Sequence, residues 1–297
     1  MSIGLHDVVP ISERRFLAAE SPIWDDRAKR AYFVDIKGHA LFAFDPVTGR
    51  IAEWPVPEDI GFVALTDGPE LVLGLKSGLV LFDPATGRSV PFGAVPVADD
   101  ERLNDGKVDA RGDLYFGSMG MDGQPGRGAL FRLSSSSGLA RIDWEYDIPN
   151  GPAFGSDGAV YHCDTPRGII YRLTSHQGRW SRDTALQLEA ETGRPDGIAV
   201  DPSGRVWAGL WGGGGLLVFD PATGGQQHLP LPATYVTALC PIGQNSNQIL
   251  ITSANTPILC GEPAQRPDDG RVFLARTNVT WPAASFRYRL YGEAAPS

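Results

Sequence analysis

The chain has 297 residues, and its 35 Asp and Glu outnumber 26 Lys and Arg to give a formal charge of −9. A binder of phosphate backbones needs a concentrated basic face, which no stretch supplies, so nucleic acid is not the expected partner. No run of about 18 apolar residues exists to span a bilayer, and the opening MSIGLHDVVPISERRF lacks the apolar core of a secretory leader, so a soluble cytoplasmic protein without membrane contact is expected.

In chain order, six segments open on the same short pattern. They read ESPIWDD from Glu20, IGFVALTDG from Ile60, NDGKVDARG from Asn104, NGPAFGSDG from Asn150, DGIAVDPSG from Asp196 and VTALCPIG from Val236. Each leads through a turn into a short apolar run: AYFVDI, LVLGL, DLYFGSM, AVYHCD, RVWAGL and QILITSA. A third run follows in ALFAFDPVTG, LVLFDPATG, ALFRLSSSSG, IIYRLTSHQG, LLVFDPATG and RVFLART. Strand-length runs rich in Val, Ile, Leu, Phe and Tyr, punctuated by Asp-Pro, Thr-Gly and Asp-Gly, predict antiparallel meanders. A repeat of several strands, with successive starts 40 to 46 residues apart, predicts propeller blades. The expected fold is all-β, a six-bladed β-propeller with four-stranded antiparallel blades.

The repeat runs through the chain without a linker of shifted composition, which predicts one domain over 1–297. Its 36 Gly and 24 Pro suit many tight turns, and no stretch shows helical periodicity. A chain this long buries roughly 75% of its unfolded surface, so it needs neither disulfide nor partner for a core, and a monomer or weak homo-oligomer is expected. Cys163, Cys240 and Cys260 are odd in number and widely spaced, and read as reduced structural thiols. The tract Ser134 to Ser137 is expected to be a loop between strands.

The first strand of every propeller blade lines the central channel, so an aligned column becomes a ring around the axis. Here the ring holds Glu20, Ile60, Asn104, Asn150, Asp196 and Val236: four oxygen-bearing side chains and two apolar ones. Taken singly, Asn or Asp before Gly is an ordinary turn residue; four in one register point to a site. Two carboxylates converging in a narrow channel repel each other and lose hydration unless a positive charge lies between them. One divalent metal ion meets that need. Carboxylate and amide oxygens without thiolate or imidazole suit Ca²⁺, Mg²⁺ or Mn²⁺, and they do not by themselves select Zn²⁺. Cellular availability leaves Zn²⁺ and Fe²⁺ open. Three or four protein ligands also leave coordination positions free, as a catalytic centre requires.

The segments AAESPIW, RLNDGKVDARGDLYFGSM, IPNGPAFGSDGAVYHCDT and RPDGIAVDPSGRVWAGLWGGG, in that order, resemble the SMP-30/gluconolactonase/regucalcin family of six-bladed propellers over essentially the whole chain. The resemblance implies hydrolysis of a sugar lactone with one divalent ion. It also implies Glu20, Asn150 and Asp196 as metal ligands, and Arg102 and Asn104 as the substrate-contacting pair, with Asn104 close enough to support the metal. The run GLWGGGGLLVFDPATG resembles the bacterial sugar-lactonase branch, which includes enzymes of pentonolactones. Some relatives carry a substrate-binding Glu shortly after the strand matching DLYFGSM; here Gly120, Met121 and Asp122 follow, and Asp122 is the candidate replacement.

Lactone hydrolysis builds charge on the carbonyl oxygen, which a cation with a free position stabilises. Asp196 is the candidate general base, because a ligand carboxylate keeps a second oxygen for the attacking water, although a nearby dication lowers its basicity. The Arg102 fork suits sugar hydroxyls or the developing oxyanion. Two other readings stay open: a related propeller hydrolase of other lactones or phosphotriesters, and a calcium-binding propeller without catalysis. No G-x-S-x-G, H-E-x-x-H, C-x-x-C or Walker loop is present, and Gly212 to Gly215 does not complete a dinucleotide fingerprint. His162, beside Cys163 and Asp164, is expected to be a packed strand histidine. The DPxTG segments at Asp45, Asp83 and Asp220 predict hairpin turns rather than calcium loops.

Overall fold

The computed structural model describes residues 2–121, 123–255, 266–282 and 285–290. Short apolar runs separated by turn residues pair with their sequence neighbours, because a two- to five-residue turn reverses the chain onto itself at little entropic cost. Six sheets of four antiparallel strands result, as the repeat predicts. Blade I comprises Ala19–Asp25, Arg30–Asp35, Ala40–Phe44 and Ile51–Pro55. Blades II to V begin on Ile60–Leu65, Glu101–Val108, Pro149–Phe154 and Arg194–Val200. The inner strands touch one another in a closed cycle around the axis.

Blade VI is composite. It takes Tyr235–Ile242, Ser246–Ala254 and Phe273–Trp281 from the C-terminal part of the chain and its outer strand, Leu5–Pro10, from the N-terminus. Leu5 stands opposite Thr277 and Pro10 opposite Phe273. The two ends of the chain are thereby joined in one sheet. Residues 285–290 then reach blades I and II, where Tyr288 bridges Thr66 in parallel and Arg287 pairs with Asp25 and Asp26.

Apolar side chains fill the spaces between blades. Phe62, Phe116 and Phe131 stack with centroids 5.7 and 5.5 Å apart and join blades II and III. Each such ring contributes roughly 1.5–3 kcal/mol by leaving water. The polar punctuation behaves as predicted. Oδ1 of Asp45, Asp83 and Asp220 each accepts a backbone N–H two residues on, at 2.9 Å, which closes the three DPxTG hairpins. Ser135 to Ser137 form a turn. Cys163 and Cys240 are free and buried, while Cys260 and Asp122 lie outside the described residues. His162 is fully buried, with Nε2 3.0 Å from the Tyr146 hydroxyl and Nδ1 3.2 Å from the Cys163 carbonyl. Burial pushes it down to about 3, which keeps it neutral.

Candidate functional site

Each of the six column residues stands in the first four residues of an inner strand at a break in register, which begins one residue ahead of Asn104 and Asp196 and directly after the other four. The break lies after Glu20, Ile60, Leu103, Asn150, Pro195 and Val236. A bulge turns a side chain out of the regular alternation and bends the strand. In blades I, III, IV and V the column residue is thereby brought to one cavity. Aspartates at the ends of second strands fix the entry to this bend. Asp35 accepts the N–H groups of Leu17 and Ala18 at 3.0 and 2.9 Å, and Asp164 accepts those of Asp147 and Ile148 at 3.0 and 3.2 Å. The strands also lie very close. A Cβ at Gly61 would stand 2.5 Å from the Leu103 carbonyl oxygen and 2.6 Å from that of Asn104, so only glycine lets blade II approach blade III here.

A cavity open to solvent, about 470 Å³ with that open space included, lies over this level. Its polar lining is Glu20, Arg102, Asn104, Asn150, Thr165 and Asp196. Ala18, Ile36, Met119, Ile148 and Trp211 supply the apolar walls. The other two column residues, Ile60 and Val236, are wholly buried and pack into the core, so the cavity belongs to blades I, III, IV and V.

A directional chain of hydrogen bonds crosses three of these blades. Arg102 Nη1 donates to Asn104 Oδ1 at 2.7 Å, and Asn104 Nδ2 donates to Asn150 Oδ1 at 2.7 Å and to the Pro149 carbonyl at 3.0 Å. Asn150 Nδ2 donates to Thr165 Oγ1 at 2.7 Å, and Thr165 donates to the Pro195 carbonyl at 2.8 Å. The amide of Asn104 is thus occupied in holding Asn150, whose Oδ1 keeps a free lone pair.

Glu20, in blade I, and Asp196, next to the end of this chain at Pro195, are 7% and 2% exposed and close enough for their carboxyl groups to interact. Glu20 Oε2 and Asp196 Oδ1 are buried without a hydrogen-bond partner. Burial first, and then the charge of Asp196, hold the Glu20 carboxyl well above the usual carboxylate range. Burial and the charge of Asp105 do the same to Asp196. Asp105 lies one position deeper. It accepts the N–H of Gly151 at 3.1 Å and that of Gly106 at 2.8 Å, and burial pushes it up to about 6. Burial lowers Arg102, which Asp59, 4.0 Å from its Nε, partly offsets.

Residues 18–255 match the family described as SMP-30/Gluconolactonase/LRE-like region. The chain belongs to that family. It is 29% identical to the 6-deoxy-6-sulfogluconolactonase of Pseudomonas putida over 88% of this chain and 91% of that one. It is also 29% identical to the L-arabinolactonase of Azospirillum brasilense, over 90% and 91%. Among solved structures, a calcium-binding regucalcin of Agrobacterium tumefaciens superposes with a TM-score of 0.86 at 22% identity, over 96% of this chain and 98% of that one, a likeness of fold.

Does the site of this family member suit a cation? Among the described residues no three His, Cys, Asp or Glu side chains gather at metal-binding distance. A cation here would rest on two carboxylates completed by amide oxygen. The two orphaned carboxylate oxygens and the free lone pair of Asn150 meet that description, and the set is all-oxygen and hard. Thr165 and Asp105 escape a reading confined to the aligned column. Thr165 follows a second strand, in YHCDT, and Asp105 stands one place past the column in RLNDGK. No helix among the described residues is long and apolar enough to cross a membrane.

Proposed function

We propose that the protein is a carboxylic-ester hydrolase that opens a sugar lactone to its aldonic acid, with one divalent ion held by Glu20, Asn150 and Asp196. Family membership and the two lactonase relatives support the reaction class. The observation that carries the site is the pair of buried, interacting carboxylates, each with an unpartnered oxygen, in the lining of the cavity. When bound, the ion supplies Lewis-acid polarisation of the lactone carbonyl and acidifies water.

The chain's own groups divide the remaining work. Asp196 takes the proton of the attacking water, as the expected general base. Burial and Asp105 raise its basicity and so counter the lowering that a dication brings. Glu20 shares the site with it and balances the second positive charge. Asn104 keeps the Asn150 oxygen aimed inward, and Arg102 presents its remaining N–H edge to hydroxyl groups or to the oxygen on which charge develops. Ile36, Met119, Ile148 and Trp211 pack against the C–H face of a sugar ring and exclude bulk water. The ring oxygen leaves as a hydroxyl, receiving the proton that Asp196 accepted.

The test is the initial rate on pentono- and hexonolactones after chelation, then with Ca²⁺, Mg²⁺, Mn²⁺, Zn²⁺ or Fe²⁺ restored singly. Rates abolished by chelation and recovered with an ion are expected. No rate above buffer hydrolysis with any of the five would overturn the reading.

A further inference from the structure

Blade III supplies none of the three proposed ligands, yet its inner strand grips each of the three strands that do. The grips come from one segment, Asn104 to Lys107, and each lands within two residues of a ligand. Asn104 Nδ2 donates to Asn150 Oδ1 at 2.7 Å in blade IV. Asp105, 2% exposed, accepts the N–H of Gly151, the residue after Asn150, at 3.1 Å. The hydroxyl of Ser21, the residue after Glu20 in blade I, lies within reach of the same carboxyl group. Lys107 Nζ donates to the carbonyl of Ile198, two residues past Asp196 in blade V. Its ammonium is also near enough for its charge to act on Asp105.

These grips fall where the chain turns. Ser21 and Gly151 are both left-handed, at φ 50° and 80°, so each bends its strand directly after a ligand. A serine holds that conformation only where its surroundings fix it. Gly151 has no room for a side chain, because a Cβ would stand 2.7 Å from Ile198 Cγ1. The ligand-bearing strands of blades IV and V are therefore in close contact beyond the ligands, and Asp105 and Lys107 tie both to blade III and, through Ser21, to blade I. We propose that Asp105 and Lys107 are positioning residues of the cation site: the inner strand of blade III fixes the spacing of Glu20, Asn150 and Asp196, and so decides which size of divalent ion they hold. This rests on the metal reading above and adds how the site selects its ion. Mg²⁺ requires near-octahedral oxygens at about 2.0–2.1 Å, whereas Ca²⁺ takes oxygens at about 2.3–2.6 Å in looser geometry. A donor set of fixed spacing separates the two ions, and a slack one does not.

The experiment titrates Ca²⁺ alone and Mg²⁺ alone into the metal-free protein by calorimetry, with circular dichroism melts to confirm that each variant folds. Lys107→Met removes a positive charge from the neighbourhood of a cation site, so a role through charge alone would tighten binding. Positioning predicts the reverse. The preferred ion should weaken about tenfold, and the ratio of the two dissociation constants should move about threefold or more toward one. Asp105→Asn should act in the same direction, and Lys107→Arg, which keeps a donor for the Ile198 carbonyl, should recover most of the loss. Tighter binding in Lys107→Met, a ratio unmoved in both loss variants, or equal affinities for the two ions in the wild type would overturn the positioning role while leaving the site in place. A wild type that binds neither ion overturns it too, and the lactone rate assay above then decides separately whether the hydrolytic reading stands.

Discussion

Replacing Asp196 by Asn should make the metal-free protein more stable while abolishing its response to metal. The structure supplies the reason. Glu20 Oε2 and Asp196 Oδ1 are buried without partners, and each such oxygen costs roughly 1–3 kcal/mol, more when charged. The amide introduced by Asp196→Asn would remove one charge and offer Glu20 an N–H donor, a hydrogen bond to a charged group being worth roughly 1.5–3 kcal/mol. A net gain of about 2–4 kcal/mol follows, and for a chain of this length it corresponds to about 3–6 °C in Tm. In the wild type both carboxyl groups titrate above their unfolded values. Their protonated form therefore stabilises the fold fully below about pH 4, the unfolded carboxylate range, and that contribution is lost as pH rises through the raised folded values. Metal-free wild type should weaken from mildly acid to neutral pH, and Asp196→Asn should flatten that limb. For wild type, an ion at about 100 times its dissociation constant adds about 2.7 kcal/mol, and for the variant far less. Thermal melts with chelator and with each ion, at pH 5 and pH 8, read all three effects. A metal-free variant less stable than wild type, or an equal metal-induced rise in both, would refute the reasoning.

Two further outcomes follow from the same geometry. Thr165→Val keeps the side-chain shape but strips Asn150 Nδ2 of its acceptor and the Pro195 carbonyl of its donor, so at roughly 1–3 kcal/mol per orphaned group metal affinity should fall about tenfold or more; calorimetric titration with the metal alone checks it, and wild-type affinity would contradict the relay. Deleting residues 1–10 removes the outer strand of blade VI and leaves the Phe273–Trp281 edge open, so a lower Tm and concentration-dependent association in size-exclusion chromatography are expected; an unchanged melt would show that joining the chain ends contributes nothing.

The repeat was legible because each inner strand opens on the same turn chemistry, and a column of four oxygen-bearing residues stands out against apolar strands. What the column could not show is depth and direction. Asn104 and Asn150 look alike in sequence, yet the oxygen of Asn104 accepts from the Arg102 guanidinium while the oxygen of Asn150 accepts from Asn104 and is the one proposed as a cation ligand. Thr165 sits after a second strand, outside the aligned register, and its hydroxyl becomes relevant only once blades IV and V are adjacent. The outer strand of blade VI was equally hidden, because Leu5–Pro10 precedes the first repeat and pairs with a segment more than 260 residues away. The tail around Tyr288 is likewise an isolated apolar residue until the ring closes beneath it.

Six near-identical strand openings give an asymmetric site through the identities placed on a common geometry. The identities at the column then decide the site: Ile60 and Val236 give blades II and VI no oxygen donor, which leaves Glu20 of blade I facing the contiguous blades III, IV and V on the other side of the axis. On that side the amide orientations are forced. Arg102 can only donate, and the carbonyls of Pro149 and Pro195 can only accept. Turning the Asn104 amide would set its nitrogen against the guanidinium and its oxygen against the Pro149 carbonyl, two mismatches in a buried setting. Turning Asn150 would face its nitrogen to the Asn104 nitrogen. The relay thus admits one arrangement, and its end point is an oxygen lone pair presented toward two carboxylates. Fixing that oxygen in advance removes the reorganisation a flexible amide would need, which is where a propeller made of repeated strands gains a site that no single blade contains.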